Sequence, residues 1–230
     1  MRTIGLLGGT SWESTLEYYR IINKEVSQRL GKLHSAKIAM YSIDFQEMQS
    51  FVEKNDFKAM LDFLIAAAKK VEAAGAECLL ICANTPHIFA DEIHQSISIP
   101  LIHIADVTAK KIKEKGFTKA GLLGTKLTME LPFYTERLKN NFNIDVIVPP
   151  ENVRSYIHQT IIGDFFAGRF TEETKKNYLS IMNDLKTRGA ECIILGCTEI
   201  PLLVQQSDTD IPLFDTLDIH AKAAVDFALQ

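Results

Sequence analysis

Two segments of the chain repeat each other, and this internal duplication constrains the fold more than any other feature of the sequence. Residues 75–87 read GAECLLICANTPH, and residues 189–201 read GAECIILGCTEIP. Aligned without a gap, they place Ala83 opposite Cys197, an offset of 114. Each is an apolar run that ends in small and hydroxyl residues, which is typical of a buried parallel strand that delivers a polar loop. The sequence therefore predicts one strand tip built twice: the first tip is residues 83–87, and the second tip is residues 197–201.

Two further pairs of segments match in the same order along the chain. GLLG occurs at residues 5–8 and again at 121–124, and IPL occurs at residues 99–101 and again at 211–213. Alternating strands and helices in two matched sets predict an α/β protein with two similar parallel-sheet halves, related by duplication and a pseudo-two-fold axis.

The duplication also predicts domains and a place for the site. We expect a first α/β domain of residues 1–98 plus 213–230 and a second of residues 99–212. Sites in parallel sheets form beyond the carboxyl ends of the strands. We therefore expect an active site in the cleft between the halves, where Ala83 and Cys197 oppose one another.

Turn and cap residues divide the remaining chain into alternating elements. Thr10 and Glu13 have the spacing of a capping box, which predicts a helix that begins near Trp12. The predicted strands are residues 3–7, 37–42, 77–83, 99–103, 119–124, 144–148, 190–197 and 211–215. The predicted helices are residues 12–30, 56–74, 130–140, 153–166 and 172–188, with a helix that begins near Pro86 and one at the C-terminus.

Composition excludes several classes of function. The 230 residues carry a formal net charge of −4 with no basic stripe, which argues against nucleic-acid binding. No apolar run is long enough to cross a membrane, and the N-terminus lacks the pattern of a signal peptide. The four cysteines lie in the two matching strands and show no disulfide spacing, so we expect reduced thiols in a cytoplasmic protein.

Four motifs that together span nearly the whole chain resemble the cofactor-independent aspartate/glutamate racemase family. They are GLLGGTSWEST at residues 5–15, NTPH at 84–87, GCTEIPLL at 196–203 and PLFDT at 212–216. The resemblance implies an amino-acid racemase in the cytoplasm that needs no cofactor and no metal. It also implies a small amino acid or dicarboxylate as substrate and, since members are often dimers, a homodimer.

In this family each half supplies one residue of a catalytic pair, commonly a cysteine. The motifs place that pair at positions 83 and 197 of this sequence. Cys197 fits the pattern, whereas Ala83 departs from it. Cys82 cannot simply replace the missing group, because neighbouring strand residues point to opposite faces.

The chemistry of racemisation fits a cysteine at position 197. Proton exchange at a carbon beside a carboxylate needs a base on one face and an acid on the other, and a thiol has a reference pKa of about 8.5. Because Cys197 precedes a predicted helix start, we expect the helix dipole to lower this pKa. Neighbouring donors and acceptors are predicted to bind substrate. They are Thr10, Ser11, Asn84, Thr85, His87, Thr198 and Glu199.

Several of these residues also have a purely structural interpretation. His87 could be a surface or capping histidine, and Thr10, Ser11 and Trp12 could form the cleft wall and the helix cap. Cys78 and Cys192 are predicted to be core residues, since their spacing to the next cysteine does not fit a zinc site. The cation for a second substrate carboxylate is left open among Lys126, Arg154, Arg169 and other basic residues.

Ala83 leaves three interpretations open, because alanine cannot exchange a proton. The enzyme racemises slowly or in one main direction, with water or the Thr85 hydroxyl at the empty face. Alternatively, it catalyses a one-base reaction such as decarboxylation of a malonate-type acid, or the alanine replaces an acid/base residue of the natural enzyme. A rival from another class is a two-lobed protein that binds an amino acid or dicarboxylate without chemistry.

Overall fold

The chain forms two parallel β-sheets, one in each of the two units into which it divides. The computed structural model describes all 230 residues, with residues 1–104 and 220–230 in the first unit and residues 105–219 in the second. Both boundaries lie later than the predicted ones at 98/99 and 212/213. The short segments that follow those predicted boundaries stay with the preceding unit: Leu101 bridges to Leu79, and Leu213 pairs with Ile193.

The first unit is built on a three-stranded sheet. Its strands are β1 (Ile4–Gly8), β2 (Ile38–Ser42) and β3 (Cys78–Ile81), in the order β2-β1-β3 and all parallel. Every residue of β1 and β3 is buried, as expected for parallel strands that are covered on both faces. The helices of this unit are α1 (Trp12–Leu30), α2 (Phe45–Glu53), α3 (Phe57–Ala73) and α4 (Ala90–Gln95), with a 3₁₀ turn at Thr85–Phe89.

The second unit is built on a four-stranded parallel sheet. Its strands are β4 (Lys119–Gly124), β5 (Asp145–Ile147), β6 (Cys192–Gly196) and β7 (Leu213–Asp215), in the order β5-β4-β6-β7. The remaining helices are α5 (Ile104–Glu114), α6 (Lys126–Glu130), α7 (Pro132–Phe142), α8 (Glu151–Gly163), α9 (Glu172–Thr187), α10 (Ile200–Leu203) and α11 (Thr216–Leu229), with 3₁₀ turns at Phe165–Ala167 and Gln206–Asp208. Helix α5 begins at the last residue of the first unit's main segment, and α11 begins in the second unit and ends in the first. Two parallel sheets flanked by helices confirm the predicted α/β class.

The duplication extends to matched hydrogen bonds at the entry to β3 and β6. The Thr3 amide donates to Glu77 Oε2 at 2.7 Å, and the Thr118 amide donates to Glu191 Oε2 at the same distance. Each glutamate precedes its strand by one residue and ties it to the start of the neighbouring strand. The two halves therefore share details of construction as well as sequence.

Several elements differ from the prediction. Helices α2, α5 and α6 were not predicted, and the strand expected over residues 99–103 is reduced to the single bridge at Leu101. The helix expected over residues 130–140 is interrupted, since Leu131 is extended and Pro132 begins α7. Proline disfavours a helical residue before it and suits a first helical position, so this break follows from Pro132.

The cap of α1 also differs from the prediction. The Ser11 hydroxyl accepts a hydrogen bond from the Ser14 amide at 3.2 Å and donates one to Glu13 at 3.1 Å. Ser11, and not Thr10, is therefore the N-cap. Among all the helices, none has the length and apolar character needed to span a bilayer.

Candidate active site

Two glycine backbones lie in close contact just before the second tip, at the ends of β4 and β6. A Cβ atom added to Gly124, at the end of β4, would lie 2.8 Å from the Gly196 carbonyl oxygen at the end of β6. The absence of side chains here lets β4 and β6 run side by side to their carboxyl ends. Cys197 follows directly and keeps 7% of its surface exposed, whereas Cys78 and Cys192 are fully buried in their strands.

The Cys197 thiol is hydrogen-bonded to a buried carboxyl group. Its Sγ donates to Glu199 Oε2 at 2.9 Å, and the Thr198 hydroxyl donates to the same oxygen at 2.8 Å. Glu199 is 4% exposed, and its other oxygen, Oε1, is buried without a hydrogen-bond partner. Three consecutive residues of the second tip thus form one short polar network.

The surroundings of Cys197 stabilise the thiol over the thiolate. Burial raises the pKa of Cys197 well above its ordinary value, and the charge of Glu199 and its hydrogen bond raise it further. The backbone amides of Glu199 and Thr198 act in the opposite direction but with smaller effect. The expectation of a lowered pKa was therefore wrong. The helix that follows, α10, has only four residues, and its N-terminal effect does not offset burial beside a carboxylate.

A hydroxyl pair lies near the thiol in the same unit. The Tyr178 hydroxyl lies 2.7 Å from the Thr160 hydroxyl, and both residues are buried. Burial raises the pKa of Tyr178, and its proximity to Cys197 adds to the effect. Tyr178 therefore remains a neutral phenol beside the second tip.

In the first tip, His87 holds the backbone at Ala83. The Ile104 amide donates to His87 Nε2 at 3.3 Å, which assigns the ring proton to Nδ1. This Nδ1 then donates to the Ala83 carbonyl at 2.8 Å. His87 is 2% exposed, so the alternative of a surface histidine is wrong.

A second buried histidine, His220, lies beside His87 and was not predicted. The His87 ring centroid lies 4.7 Å from that of His103 and 5.7 Å from that of His220. His220 Nδ1 is 2.7 Å from the Tyr18 hydroxyl, and its Nε2 is 2.7 Å from the Ile102 carbonyl. Burial lowers the pKa of His220 to about 3, and the neighbouring His87 contributes to this shift. A lone histidine within a helix gives no sequence signal of such a setting.

The glycine-rich loop after β1 lies beside the first tip. The Ser14 hydroxyl donates to the Cys82 carbonyl at 2.8 Å, which links α1 to the end of β3. Thr10, Ser11 and Asn84 are buried, and Thr85 is half-buried. The loop after β1 is thus tied to the end of β3 just before the first tip, and Thr198 and Glu199 adjoin Cys197 in the second unit.

The remaining cysteines have the properties of core residues. Burial raises the pKa of Cys78 to about 11 and that of Cys192 to about 12. Cys82 is 1% exposed, and burial raises its pKa as well. The prediction that Cys78 and Cys192 are structural is confirmed, and Cys82 offers no accessible thiol beside Ala83.

The three candidate cations lie in different settings. Arg154 donates to Glu130 at 3.0 Å and to the Pro149 carbonyl at 2.8 Å, and Arg169 donates to Asp164 and to a neighbouring carbonyl. Lys126 is the first residue of α6, two positions after the end of β4, and forms none of the ion pairs of the second unit. Its amide donates to His158 at 3.4 Å.

Comparison with known proteins places these features in a family. The Asp/Glu/hydantoin racemase profile matches residues 7–224. The broad-specificity amino-acid racemase RacX of Bacillus subtilis (strain 168) is 26% identical over 96% of each chain. A Yersinia pestis protein described as a candidate Asp/Glu racemase has a solved structure with a TM-score of 0.94, and it is 45% identical over the whole of both chains. An aspartate racemase homologue from Pyrococcus horikoshii OT3 is 34% identical, with a TM-score of 0.85, again over the whole of both chains.

These matches support classification of the chain among the amino-acid racemases. The family profile covers the glycine-rich loop, both tips and most of the two units described above. The chain therefore belongs to the Asp/Glu/hydantoin racemase family.

Proposed function

We propose that this chain exchanges the α-proton of aspartate, glutamate or a related amino acid, without a cofactor, and that Cys197 is its acid/base residue. The observation that supports this proposal most directly is the setting of Cys197 at the end of β6. It is the one cysteine of the four whose sulfur donates to a carboxyl group. A thiol at the carboxyl end of a parallel strand occupies the place where α/β sheets present reactive groups.

Proton exchange at this residue begins when the α-carbon–hydrogen bond of the substrate breaks. The proton moves to the thiolate form of Cys197, whose sulfur supplies the electron pair of the new S–H bond, and the electron pair left on carbon delocalises into the α-carboxylate. Donors that face this developing charge stabilise it, since fixed hydrogen-bond donors are most effective where charge accumulates. We assign this binding role to Thr10, Ser11, Asn84, Thr85 and Thr198.

His87 contributes to this function through the backbone of the first tip. Both of its ring nitrogens are engaged, with the Ala83 carbonyl and the Ile104 amide. It therefore fixes the position of the tip and does not exchange protons itself.

Ala83 determines which product this chemistry forms. Inversion requires a second group to deliver a proton to the face opposite Cys197, and position 83 is where the family places that group. Alanine has no exchangeable proton, so return from Cys197 to the same face is favoured. We expect α-proton exchange with retention to be faster than racemisation.

A deuterium-exchange experiment tests the proposal. The protein is incubated with single amino acids in heavy water, and both α-deuteration and enantiomeric composition are measured. We expect α-deuteration with little inversion in the wild type, and a gain in racemisation of about 10²-fold or more in Ala83→Cys, the typical effect of a positioned acid/base group. Cys197→Ala should lose both activities.

A matched control uses a cysteine outside the site. Cys192→Ala removes a buried thiol at the first residue of β6, five residues before Cys197, and should retain exchange. Retention of exchange in Cys197→Ala, or no gain in Ala83→Cys while substrate still binds, would contradict the proposal. Substrate binding without any exchange would instead favour a binding protein.

The same alanine supports a second candidate reaction. Decarboxylation of a malonate-type acid needs only one proton, delivered to one face, and Cys197 would supply it. In this reaction the bond from the α-carbon to one carboxyl group breaks, carbon dioxide leaves, and the thiol proton moves to carbon. Release of carbon dioxide from a disubstituted malonate, abolished by Cys197→Ala, distinguishes this activity from racemisation.

We assign the side-chain carboxylate of an acidic substrate to Lys126. Arg154 and Arg169 are held by their own carboxylate neighbours, whereas Lys126 adjoins the tip of β4 without an ion pair. Lys126→Met should raise KM for aspartate and glutamate more than for an uncharged amino acid.

A further inference from the structure

Two buried histidines of the first unit, His220 and His87, carry hydrogen bonds from helix α1 toward the first tip. His220 Nδ1 lies 2.7 Å from the Tyr18 hydroxyl of α1, and its Nε2 lies 2.7 Å from the Ile102 carbonyl. Burial lowers the pKa of His220 to about 3, so its ring is neutral and carries one proton. Because a carbonyl can only accept, that proton is on Nε2, and Nδ1 accepts from Tyr18.

The second part of this network begins two residues after Ile102. The Ile104 amide donates to His87 Nε2 at 3.3 Å, and His87 Nδ1 donates to the Ala83 carbonyl at 2.8 Å. His103 lies between the two backbone groups, and its ring centroid is 4.7 Å from that of His87. The whole network, which we call the histidine bridge, consists of Tyr18, His220, residues 102–104 and His87. All its members are buried or half-buried and belong to the first unit.

Hydrogen bonds hold the carbonyl groups on both sides of position 83. His87 holds the carbonyl of Ala83 itself. The Ser14 hydroxyl, which lies one turn before Tyr18 on α1, donates to the Cys82 carbonyl at 2.8 Å. These two carbonyls belong to the planar peptide groups that flank the α-carbon of residue 83, and only two soft dihedral angles separate such groups. Fixing both planes therefore fixes the direction in which the side chain at position 83 points.

The bridge matters to a reaction at this position because proton transfer depends on accurate placement. A reacting group must be held within about 0.5 Å of its productive position by neighbours that are themselves held. Loss of the Tyr18 hydroxyl would leave Nδ1 of the buried His220 without its donor, which is unfavourable. The ring would shift to reduce this cost, and the backbone of residues 102–104 would shift with it.

We propose that Tyr18 and His220 are positioning residues for the acid/base position of the first tip. They hold the backbone of residues 102–104, this backbone holds His87, and His87 sets the peptide plane that follows position 83. This assignment rests on the proton-exchange function proposed above, in which a group at position 83 serves the face opposite Cys197. Alanine has no proton to exchange, so the role becomes measurable in Ala83→Cys.

The test introduces Tyr18→Phe and His220→Leu separately into Ala83→Cys. The reaction runs at saturating substrate in heavy water and starts from the enantiomer that the wild type deuterates, so that Cys197 takes the α-proton. Delivery from the thiol introduced at position 83 gives inversion, whereas return from Cys197 gives deuteration with retention. We expect the ratio of inversion to retention to fall about 10-fold or more in both variants, since small displacements of a reacting group slow its reaction strongly.

This ratio separates positioning from general damage to the fold. Damage that weakens substrate binding or unfolds part of the protein lowers inversion and retention together and leaves their ratio unchanged. His220→Gln should restore part of the ratio, because glutamine keeps a donor for the Ile102 carbonyl and an acceptor for the Tyr18 hydroxyl.

Tyr41→Phe in the same Ala83→Cys background is the matched control. It removes a tyrosine hydroxyl from strand β2 of the same unit, where that hydroxyl accepts from Lys70 at 2.6 Å and is not part of the histidine bridge. The ratio of inversion to retention should stay the same in this variant. An equal fall in Tyr41→Phe would overturn the proposal.

Amide hydrogen exchange at Ile104, measured by NMR, tests the histidine bridge without a substrate. This amide donates to His87, so displacement of the bridge should expose it to solvent. We expect faster exchange at Ile104 in Tyr18→Phe and His220→Leu, and unchanged exchange in Tyr41→Phe.

Each remaining outcome has a definite meaning. An unchanged ratio in Tyr18→Phe and His220→Leu overturns the proposal, and so does a lower ratio without faster amide exchange at Ile104. Failure of the proposed function has a different signature, since no amino acid would then be exchanged by the wild type or by Ala83→Cys. The amide of Ile104 alone then decides, and protection equal to that in Tyr41→Phe rejects the histidine bridge as the support of the first tip.

Discussion

Cys197 shows how far a single residue can be understood from the sequence. The duplication and the GCTE motif select it among four cysteines as the candidate acid/base residue, and it directly follows the end of β6. The direction of its pKa shift was not predictable, because it depends on burial and on the orientation of Glu199. Both are set by packing that no local pattern encodes.

Gly9 gives a prediction at the same scale. Its φ is +98°, and an added Cβ would lie 2.1 Å from the Ile43 carbonyl oxygen, whereas Gly168, in the left-handed conformation with a φ of +68°, has nothing within 4 Å of such an atom. Gly168→Ala therefore costs only the left-handed backbone conformation, about 1–2 kcal/mol. Gly9→Ala adds a clash with backbone and should cost on the order of 3 kcal/mol or more.

Urea unfolding of both glycine variants measures this difference. Both variants replace glycine by alanine. The additional loss of unfolding free energy in Gly9→Ala therefore measures the effect of the close approach between the loop after β1 and Ile43. Equal midpoints for the two variants would contradict the packing described for this loop.

At the scale of elements, the prediction succeeded where local signals were strong. Helix α1 runs over the predicted residues, Trp12–Leu30, and α9 and β4 agree closely with their predictions. Helices α2 and α6 were missed although Asp44 and Thr125 cap them, because these residue types are also common in turns and one cap residue does not distinguish a short helix from a loop. Helix α5 was missed as well. The short segment at residues 99–103 was predicted as a strand, but only Leu101 pairs with its neighbour.

His220, in α11, links three elements and makes stability depend on pH. It contacts Tyr18 of α1 and the Ile102 carbonyl, and its ring lies beside His87, which in turn adjoins His103. Its pKa is lowered to about 3 by burial, against about 6.5 in an unfolded chain. The unfolded state thus binds the extra proton first, so stability is complete above about pH 6.5 and falls as pH drops toward 3, by about 1.4 kcal/mol per unit.

Denaturation at several pH values tests this dependence. His220→Gln keeps a donor and an acceptor but removes the titration, so the wild type should lose stability more steeply than the variant as the pH falls below 6.5. His94→Gln, at an exposed position, is the control and should follow the wild type. Parallel curves for the wild type and His220→Gln would contradict the assignment.

At the scale of the whole chain, the repeat predicted two α/β units, and each unit contains its own parallel sheet. The boundaries were less predictable, because α5 and α11 each start in one unit and continue in the other. Sequence repeats mark equivalent strands, whereas boundaries depend on contacts that differ between the copies. The second sheet has four paired strands, while the first has three and a single bridge.

Hydrogen exchange should reveal the two sheets as separate centres of protection. Strand β1 is flanked on both sides in the first sheet, and β4 and β6 are flanked on both sides in the second. Their amides should exchange most slowly, since such strands open only in the largest unfolding events. The amides of the edge strands β2, β5 and β7 should exchange faster, as measured by mass spectrometry. Equal protection of edge strands and flanked strands would argue against the strand orders.

The side chain at position 83 contributes no hydrogen bond to the first tip, whereas the Cys197 side chain is hydrogen-bonded in the second tip. Ala83 is half-buried, and it contributes to the tip through its carbonyl oxygen, which any amino acid would supply to His87. The backbone before Ala83 is held by other contacts. Glu77 and Ser14 form hydrogen bonds at the two ends of β3, and β3 itself is buried. Under the proposed function, side chains introduced at this one position would alter the stereochemical outcome and leave the backbone contact with His87 in place, which suits the protein to directed evolution.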